Sequence, residues 1–329
     1  MSMRNKYILI VAVLLMSAGC REKKAEQKFQ ALPFPDVQLP AMIDGQQEML
    51  EYLAENYWNN LTDPSRAYPS DSLLVSGVRR TDVEQKFADW IYVLETAGPA
   101  VWEKAMTRLY DRALKCEKAA GTSNVFETFV EFAQKYLYDP NSPMRNEDIY
   151  LHFVRRYSSY EGLSDVEKEK FGRQARLCAL NRVGTVAADF SFADSRGRIR
   201  NLHGIDAPLT LLFFSNPGCN ACMEIINVLR ENPQISVLIE DGFLAVVNVY
   251  IDEDIQAWRS YMPIYPENWY NGFDPDLAIR NSSLYDVRAI PSLYLLDAEK
   301  KVILKDAPEH KVFDMISRSV YGTGMESCQ

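Results

Sequence analysis

The chain has 329 residues, 47% of them hydrophobic and 25% charged, and it carries a formal net charge of −9. That length and composition exclude a disordered chain and allow two domains with hydrophobic cores of their own. The acidic balance argues against a nucleic-acid partner and gives no electrostatic attraction to anionic lipid headgroups.

The first nineteen residues have the three parts of a secretory signal. Arg4 and Lys6 precede an apolar stretch that ends at Met16, and small residues follow it. This stretch is well short of the about 20 apolar residues that a transmembrane helix needs. We therefore expect residues 1–19 to be a signal peptide that is removed on export.

Cys20 directly follows these small residues, and the arrangement resembles the lipobox of bacterial lipoproteins. The resemblance implies that Cys20 is acylated and that the protein is anchored to a bacterial membrane by lipid, facing the periplasm. Ser17 departs from the pattern, because leucine is commonest three residues before the cysteine. A signal peptide that is cleaved without lipidation is the alternative.

Two segments of different character follow the cysteine. Residues 20–40 are charged and then contain three prolines, which is typical of an extended tether. Residues 41–181 show helical patterns that no alternating strand pattern interrupts, so they predict an all-helical domain.

The sequence also predicts particular features of the helical domain. The turn-forming run DPNSP over residues 139–143 predicts a corner before a helix that is capped by Asn146. The other expected features are helices near 99–119, 123–138 and 146–157, capping boxes at Thr81 with Glu84 and at Ser164 with Glu167, and core positions for Trp58, Trp90 and Trp102.

The pattern changes after Asn181. Short apolar runs rich in Phe, Val, Leu and Tyr now alternate with helical stretches over residues 182–329. This alternation predicts a sheet with helices packed on its faces. The expected fold class is therefore an α+β two-domain protein, in which the helical domain precedes an α/β domain.

The stretch SNPGCNACMEI places Cys219 and Cys222 two residues apart, between an apolar run and a predicted helix. Thiol–disulfide exchange needs one thiolate that attacks a disulfide and a second thiol that resolves the mixed intermediate. At the start of a helix the backbone N–H groups favour a thiolate at the first cysteine, while the second cysteine lies one turn further in. The spacing therefore fits a redox dithiol.

Two other interpretations of this cysteine pair remain open from the residues alone, a structural disulfide and a metal site. Structural zinc takes about four ligands. The chain has no second Cys-x-x-Cys, and His152, His203 and His310 are scattered. Metal is therefore the weakest interpretation, and we expect neither a metal nor a cofactor.

About seventy residues later, YDVRAIPSLYLLD places Pro291 at the start of a predicted strand, directly after Ile290. Proline cannot donate a hydrogen bond to a strand ladder, so it belongs at a sheet edge or a special turn.

Residues of about 183–320 resemble a thioredoxin-fold domain of the membrane-anchored, TlpA-like group. The resemblance rests on GTVAADFSFADSRG, on LLFFSNP running into CNAC, and on the Ile-Pro pair. It implies a mixed central sheet, Cys219 as the nucleophile and Cys222 as the resolving thiol. It also implies that Ile290 and a cis Pro291 present backbone to the substrate. The implied activity is thiol–disulfide exchange on exported proteins, coupled to a redox partner in the cell envelope.

Residues of about 40–181, including YLYDPNSPMRNEDIY, resemble a helical domain of unknown function that precedes thioredoxin-like domains in bacterial lipoproteins. The second resemblance implies no activity for the helical part.

Three residues near the dithiol depart from the thioredoxin pattern. Gly218 stands where tryptophan is usual, and Phe213 stands where thioredoxin has a buried acid. Glu224 is the nearest carboxylate, and its helical position directs it toward solvent. The rival hypothesis is therefore a non-catalytic binding or assembly lipoprotein with a thioredoxin-fold scaffold and a structural disulfide.

The remaining cysteines and one aromatic run complete the candidates. Cys116 and Cys178 fall in helical patterns and are expected as small buried residues. Cys328 lies next to the end of the chain. The run from Tyr265 to Phe273 is either an insertion in the core or a border of the dithiol.

Overall fold

The computed structural model describes residues 30–66, 68, 71–119 and 123–324. The predicted signal peptide, Cys20 and Cys328 lie outside the described residues. In the part of the chain that the structure describes, no helix is both long and apolar enough to cross a membrane.

The first part of the described chain is helical apart from one short hairpin. Its elements are α1 (Gln46–Asn56), β1 (Leu74–Val75), β2 (Val78–Arg79), α2 (Arg80–Ala97), α3 (Pro99–Ala119), α4 (Val125–Phe132), a π-helical continuation (Ala133–Tyr138), α5 (Glu147–Tyr157) and α6 (Asp165–Cys178). The three helices expected near 99–119, 123–138 and 146–157 are confirmed. The hairpin was not expected, because two-residue strands leave no alternating pattern to detect.

The two capping boxes have opposite outcomes. The Ser164 hydroxyl accepts from the Glu167 amide and the Glu167 carboxylate accepts from the Ser164 amide, so this box is confirmed. The box at Thr81 is wrong, because strand β2 runs directly into α2, which begins one residue earlier at Arg80. Glu84 instead binds Lys135 and the Tyr136 hydroxyl.

The helices enclose a hydrophobic core in which the predicted tryptophans are buried. Trp58, Trp90 and Trp102 are 3%, 0% and 6% exposed. The indole N–H of Trp90 donates to the Ala54 carbonyl at 2.8 Å, and that of Trp102 donates to the Leu94 carbonyl at 2.8 Å. These bonds let large aromatic rings be buried without leaving the N–H groups unpaired.

The second part alternates strands and helices. Its elements are β3 (Ser191–Ala193), β4 (Ile199–Asn201), β5 (Leu209–Phe214), α7 (Asn220–Glu231), α8 (Pro233–Glu240), β6 (Leu244–Tyr250), α9 (Ile255–Tyr261), β7 (Tyr270–Phe273), α10 (Ala278–Asn281), β8 (Ser292–Leu296), β9 (Val302–Leu304) and α11 (Glu309–Gly324).

These strands form a mixed seven-stranded sheet in the order β4-β3-β7-β6-β5-β8-β9. Strands β5, β6 and β7 run parallel, whereas the pairs β5–β8, β8–β9, β3–β4 and β3–β7 are antiparallel. Every residue of β5 and β6 is buried, because a hydrophobic cluster covers each face of the sheet. The expected fold class is confirmed, with a helical part followed by a mixed central sheet with flanking helices.

Candidate redox site

The dithiol lies where the central strand β5 ends and helix α7 begins. The loop from Ser215 to Gly218 connects them, and Cys219 is the N-cap residue of α7. Gly218 has a φ of 74°, which disfavours residues with a Cβ. No heavy atom lies within 4 Å of the position of a Cβ there, so the constraint is the backbone conformation and not space.

The structure joins Cys219 and Cys222 in a disulfide with a sequence separation of 3. Cys222 is 1% exposed, whereas Cys219 is half-buried. The Cys222 amide donates to Cys219 Sγ at 3.1 Å, as an N-cap requires. The first sulfur therefore faces both solvent and the N-terminal end of the helix, while the second faces the core.

Ile290 and Pro291 lie in the loop directly before β8, the strand that pairs with β5. The peptide bond between them is cis. Phe214 of β5 pairs with Ser292 of β8. When this antiparallel register is extended by one residue, Pro291 lies beside Ser215, in the loop that leads to the dithiol. Ile290 and Cys219 pack against the same hydrophobic cluster that contains Cys222. The structure thus brings all four predicted site residues of this domain to one edge of the sheet.

A buried chain of uncharged polar groups lies on the same face of the sheet as Cys222. Asn248 stands between Val246 and Tyr250 of that cluster, and it pairs with Phe213 across β5 and β6. The Ser215 hydroxyl donates to the side-chain oxygen Oδ1 of Asn248, and the side-chain Nδ2 of Asn248 donates to Oδ1 of Asn271 at 3.0 Å.

These polar residues were missed at the sequence level. Asn248 is the only polar side chain in the buried strand LAVVNVY, and that interruption of an apolar run was the signal. Phe213 is fully buried, and Glu224 is exposed. The chain of hydrogen bonds from Ser215 through Asn248 to Asn271 therefore runs beside Phe213, the register partner of Asn248.

The aromatic run before β7 is a core element. Tyr265 and Trp269 are 4% and 7% exposed and belong to the cluster that contains Cys222. The side-chain Nδ2 of Asn271 donates to the Pro266 carbonyl at 2.8 Å, which connects the run to the chain of polar groups.

The other described cysteines are separate from this site. Cys116 and Cys178 are buried free thiols, and burial raises the pKa of each. His152 is also buried, which lowers its pKa. Among the described residues, no group of three or more His, Cys, Asp or Glu side chains is arranged to hold a metal ion.

Comparison with known families decides the assignment of the N-terminal half. The model of a domain of unknown function, DUF5106, matches residues 1–181, more than half of the chain. The chain belongs to the DUF5106 family. None of the curated proteins matches it.

Solved structures extend the comparison of this DUF5106 protein to its second half. A thioredoxin-like protein from Bacteroides caccae is 32% identical with a TM-score of 0.73, and the alignment covers 88% of this chain and 99% of that chain. The thioredoxin-like fold of the C-terminal part is therefore confirmed.

Two other solved structures match a smaller share of the DUF5106 protein. The C-terminal domain of an uncharacterized protein from Bacteroides fragilis is 42% identical over 42% of this chain and 98% of that chain, with a TM-score of 0.41. A domain of a possible thiol-disulfide isomerase from Cytophaga hutchinsonii is 20% identical over 45% of this chain and 99% of that chain, with a TM-score of 0.37.

Proposed function

We propose that this DUF5106 protein is a thiol–disulfide oxidoreductase that acts on exported proteins through Cys219 and Cys222. The observation that carries the proposal is the disulfide at the start of α7, with one half-buried and one buried sulfur. A reactive dithiol needs one sulfur that a substrate can reach and a second that it cannot. The difference in exposure supports Cys219 as the nucleophile and Cys222 as the resolving thiol.

The exchange proceeds in two balanced steps. The Cys219 thiolate attacks one sulfur of a substrate disulfide, forms a mixed disulfide, and releases the other substrate sulfur as a thiolate. The Cys222 thiolate then attacks Cys219 Sγ, which forms the intramolecular disulfide seen in the structure and releases the second substrate thiol. In the opposite direction the same steps oxidise a substrate dithiol and leave Cys219 and Cys222 reduced.

The neighbouring loop supports a substrate position beside the nucleophile. Pro291 has no N–H group, and it precedes the ladder that starts at Ser292. A substrate chain that lies in extended conformation along Ile290 and Pro291 would therefore present its disulfide to Cys219. We assign substrate binding to these two residues on that basis.

Localisation is part of the same proposal. The signal peptide and Cys20 support a TlpA-like lipoprotein that is anchored by its lipid in the bacterial cell envelope, facing the periplasm. Cys20→Ala should then release the protein from the membrane fraction, and continued membrane association would refute lipid anchoring.

Trapping of the substrate tests the catalytic assignment. Cys222→Ala leaves the first step intact and removes the resolving thiolate, so a mixed disulfide should accumulate on Cys219. Cys219→Ala is the matched control and should capture nothing, because Cys222 is buried. The protein is purified from its own cells without reductant, and the attached partner is identified by mass spectrometry. Equal capture by Cys219→Ala would reverse the two roles, and no capture by either variant would contradict the proposal.

A further inference from the structure

Buried charged side chains of the helical part contact the thioredoxin-like part, and several of these contacts lie at the loop that contains Pro291. We call residues 286–292 the proline loop. The segment that it meets runs from Tyr138 to Asp148, across the corner between the π-helical turn and α5. Glu147 and Asp148 in this segment are 2% and 3% exposed, although both stand in the first turn of a helix.

The first tie lies three residues before Pro291. The Arg288 guanidinium donates to the Tyr138 carbonyl and to the Glu147 carboxylate, and it lies 4.1 Å from the centre of the Tyr138 ring. The side chains of Arg288 and Glu147 are 12% and 1% exposed. A guanidinium can satisfy a carboxylate, a carbonyl and an aromatic face together, whereas an ammonium group cannot.

The second tie lies one residue after Pro291. The Ser292 hydroxyl donates to the Asp306 carboxylate at 2.7 Å. From the helical part, Arg145 Nε donates to the Asp306 carbonyl at 2.7 Å, and Arg145 Nη2 donates to the Ala307 carbonyl at 3.0 Å. The two flanks of Pro291 are therefore held, directly or through Asp306, by Glu147 and Arg145 of one short helical-part segment.

The network also fixes Glu147 itself. Lys305 Nζ lies 2.9 Å from the second Glu147 oxygen and donates to the carbonyls of Cys178 and Leu180 at 2.7 Å each. A buried carboxylate that loses its partner is strongly disfavoured, because the protein interior does not solvate it as water does. Movement of Arg288 away from Glu147 would leave this buried carboxylate with Lys305 but without the hydrogen bond to its other oxygen, so the network resists displacement of the proline loop.

We propose that the helical part of this DUF5106 protein completes the redox site, with Glu147 and Arg145 as positioning residues that hold the proline loop in place to receive the substrate chain. The inference rests on the proposed exchange activity. A loop that is already ordered does not have to be ordered when substrate binds, which favours association and correct alignment of the reacting sulfurs.

The test compares a reaction that needs the loop with one that does not. Exchange with a protein disulfide, such as that of insulin, requires a chain to lie along the loop, whereas alkylation of reduced Cys219 by iodoacetamide requires only the thiol. Glu147→Gln should slow protein exchange by about tenfold and change alkylation less than about twofold. Hydrogen exchange of the peptide that covers residues 286–292 should become faster in the same variant.

An ion pair between the two parts that does not involve Glu147 or Arg145 provides the matched control. Lys311 Nζ and Glu95 Oε1 are 2.5 Å apart, and they join α11 to α2 and not to the proline loop. Lys311→Gln should leave both reactions and the loop's hydrogen exchange unchanged, because it removes this ion pair and keeps the bond that Glu95 Oε1 accepts from the Asn146 side chain at 3.2 Å. If Glu147→Gln does not fold, Arg145→Lys replaces it, because lysine keeps the buried positive charge and loses the paired contacts to two carbonyls.

The outcomes separate this inference from the proposed function. Unchanged protein exchange in Glu147→Gln, or an equal fall in both reactions, would overturn the positioning role. Wild-type protein that exchanges no disulfide would refute the proposed function. In that case hydrogen exchange still decides the inference: faster exchange in Glu147→Gln alone supports a loop held by the helical part, and unchanged exchange overturns it.

Discussion

The change in melting temperature on reduction of the Cys219–Cys222 disulfide distinguishes a redox-active dithiol from a structural cross-link. The cysteines are separated by 3 in sequence, so the bond closes a very short loop. In the chain-entropy model, a cross-link that closes about four residues stabilises the folded state by about 2 kcal/mol. For a domain of roughly 150 residues, the loss of that free energy lowers the melting temperature by about 4–8 °C.

A thiolate at Cys219 in the reduced protein offsets this loss of folding free energy. We expect Cys219 to remain the N-cap of α7 in the reduced protein, because in the disulfide form the Cys222 amide already donates to its sulfur at 3.1 Å. A hydrogen bond to a charged acceptor contributes about 1.5–3 kcal/mol, and a helix N-terminus adds about 0.3–1 kcal/mol for an anion. These terms are as large as the cross-link term. We therefore expect the reduced protein to melt within about 3 °C of the oxidised protein, or above it, at about pH 8.

Thermal melting followed by far-UV circular dichroism, with and without a phosphine reductant, measures this difference. The control is the double variant Cys219→Ser, Cys222→Ala, which keeps a hydroxyl at the N-cap and avoids an unpaired hydroxyl in the core. The control has neither cross-link nor thiolate, so it should melt about 4–8 °C below the oxidised protein. If the reduced wild type melts together with the control, the disulfide is a staple and the rival binding or assembly lipoprotein is favoured.

Two further predictions concern groups outside the dithiol. Iodoacetamide should label Cys219 in the reduced native protein and spare Cys116 and Cys178, because burial hides both thiols and raises their pKa. Peptide mass spectrometry measures the labelling of each cysteine. Labelling of Cys116 or Cys178 as fast as in urea would contradict the prediction. Burial, followed by repulsion from Glu147, raises the pKa of Asp306 from 3.8 to about 7. Its contribution to stability is therefore full below pH 3.8 and is lost as the pH rises through about 7. Asp306→Asn should flatten the fall in melting temperature between about pH 4 and pH 7, and an unchanged slope would refute this.

Local sequence signals were sufficient for most elements and for the dithiol. Helix α3 was expected over the residues that it occupies, because Pro99 opens it and its apolar positions repeat at helical spacing. The buried strand β5 was predicted from LTLLFF, a short run in which Thr210 alone is polar, as suits a strand covered on both faces. The spacing of Cys219 and Cys222 at the start of a helix was sufficient to place the two sulfurs close together, and the structure joins them in a disulfide. In each case the signal lies within one element.

Features that depend on distant partners could not be predicted in this way. The place of β7 between β3 and β6 results from pairings between residues far apart in sequence, such as Ala193 with Phe273. The wrong cap at Thr81 has the same origin, because its spacing was correct but the hairpin before it sets the start of α2. Local preference is a weak constraint wherever tertiary pairing determines the boundary.

The charges at the proline loop show how a correct local interpretation can be incomplete. Asn146 does cap α5, as expected, through its bond from the Ile149 amide, and acidic residues in the next positions suit a helix N-terminus. That role accounts for Glu147 without any partner, so nothing in the segment suggested burial. Its partner Arg288 is 141 residues away, and each charge alone is typical of a solvated surface. Only the pairing makes their burial favourable, so a residue that local rules fully explain can still contact a distant part of the chain.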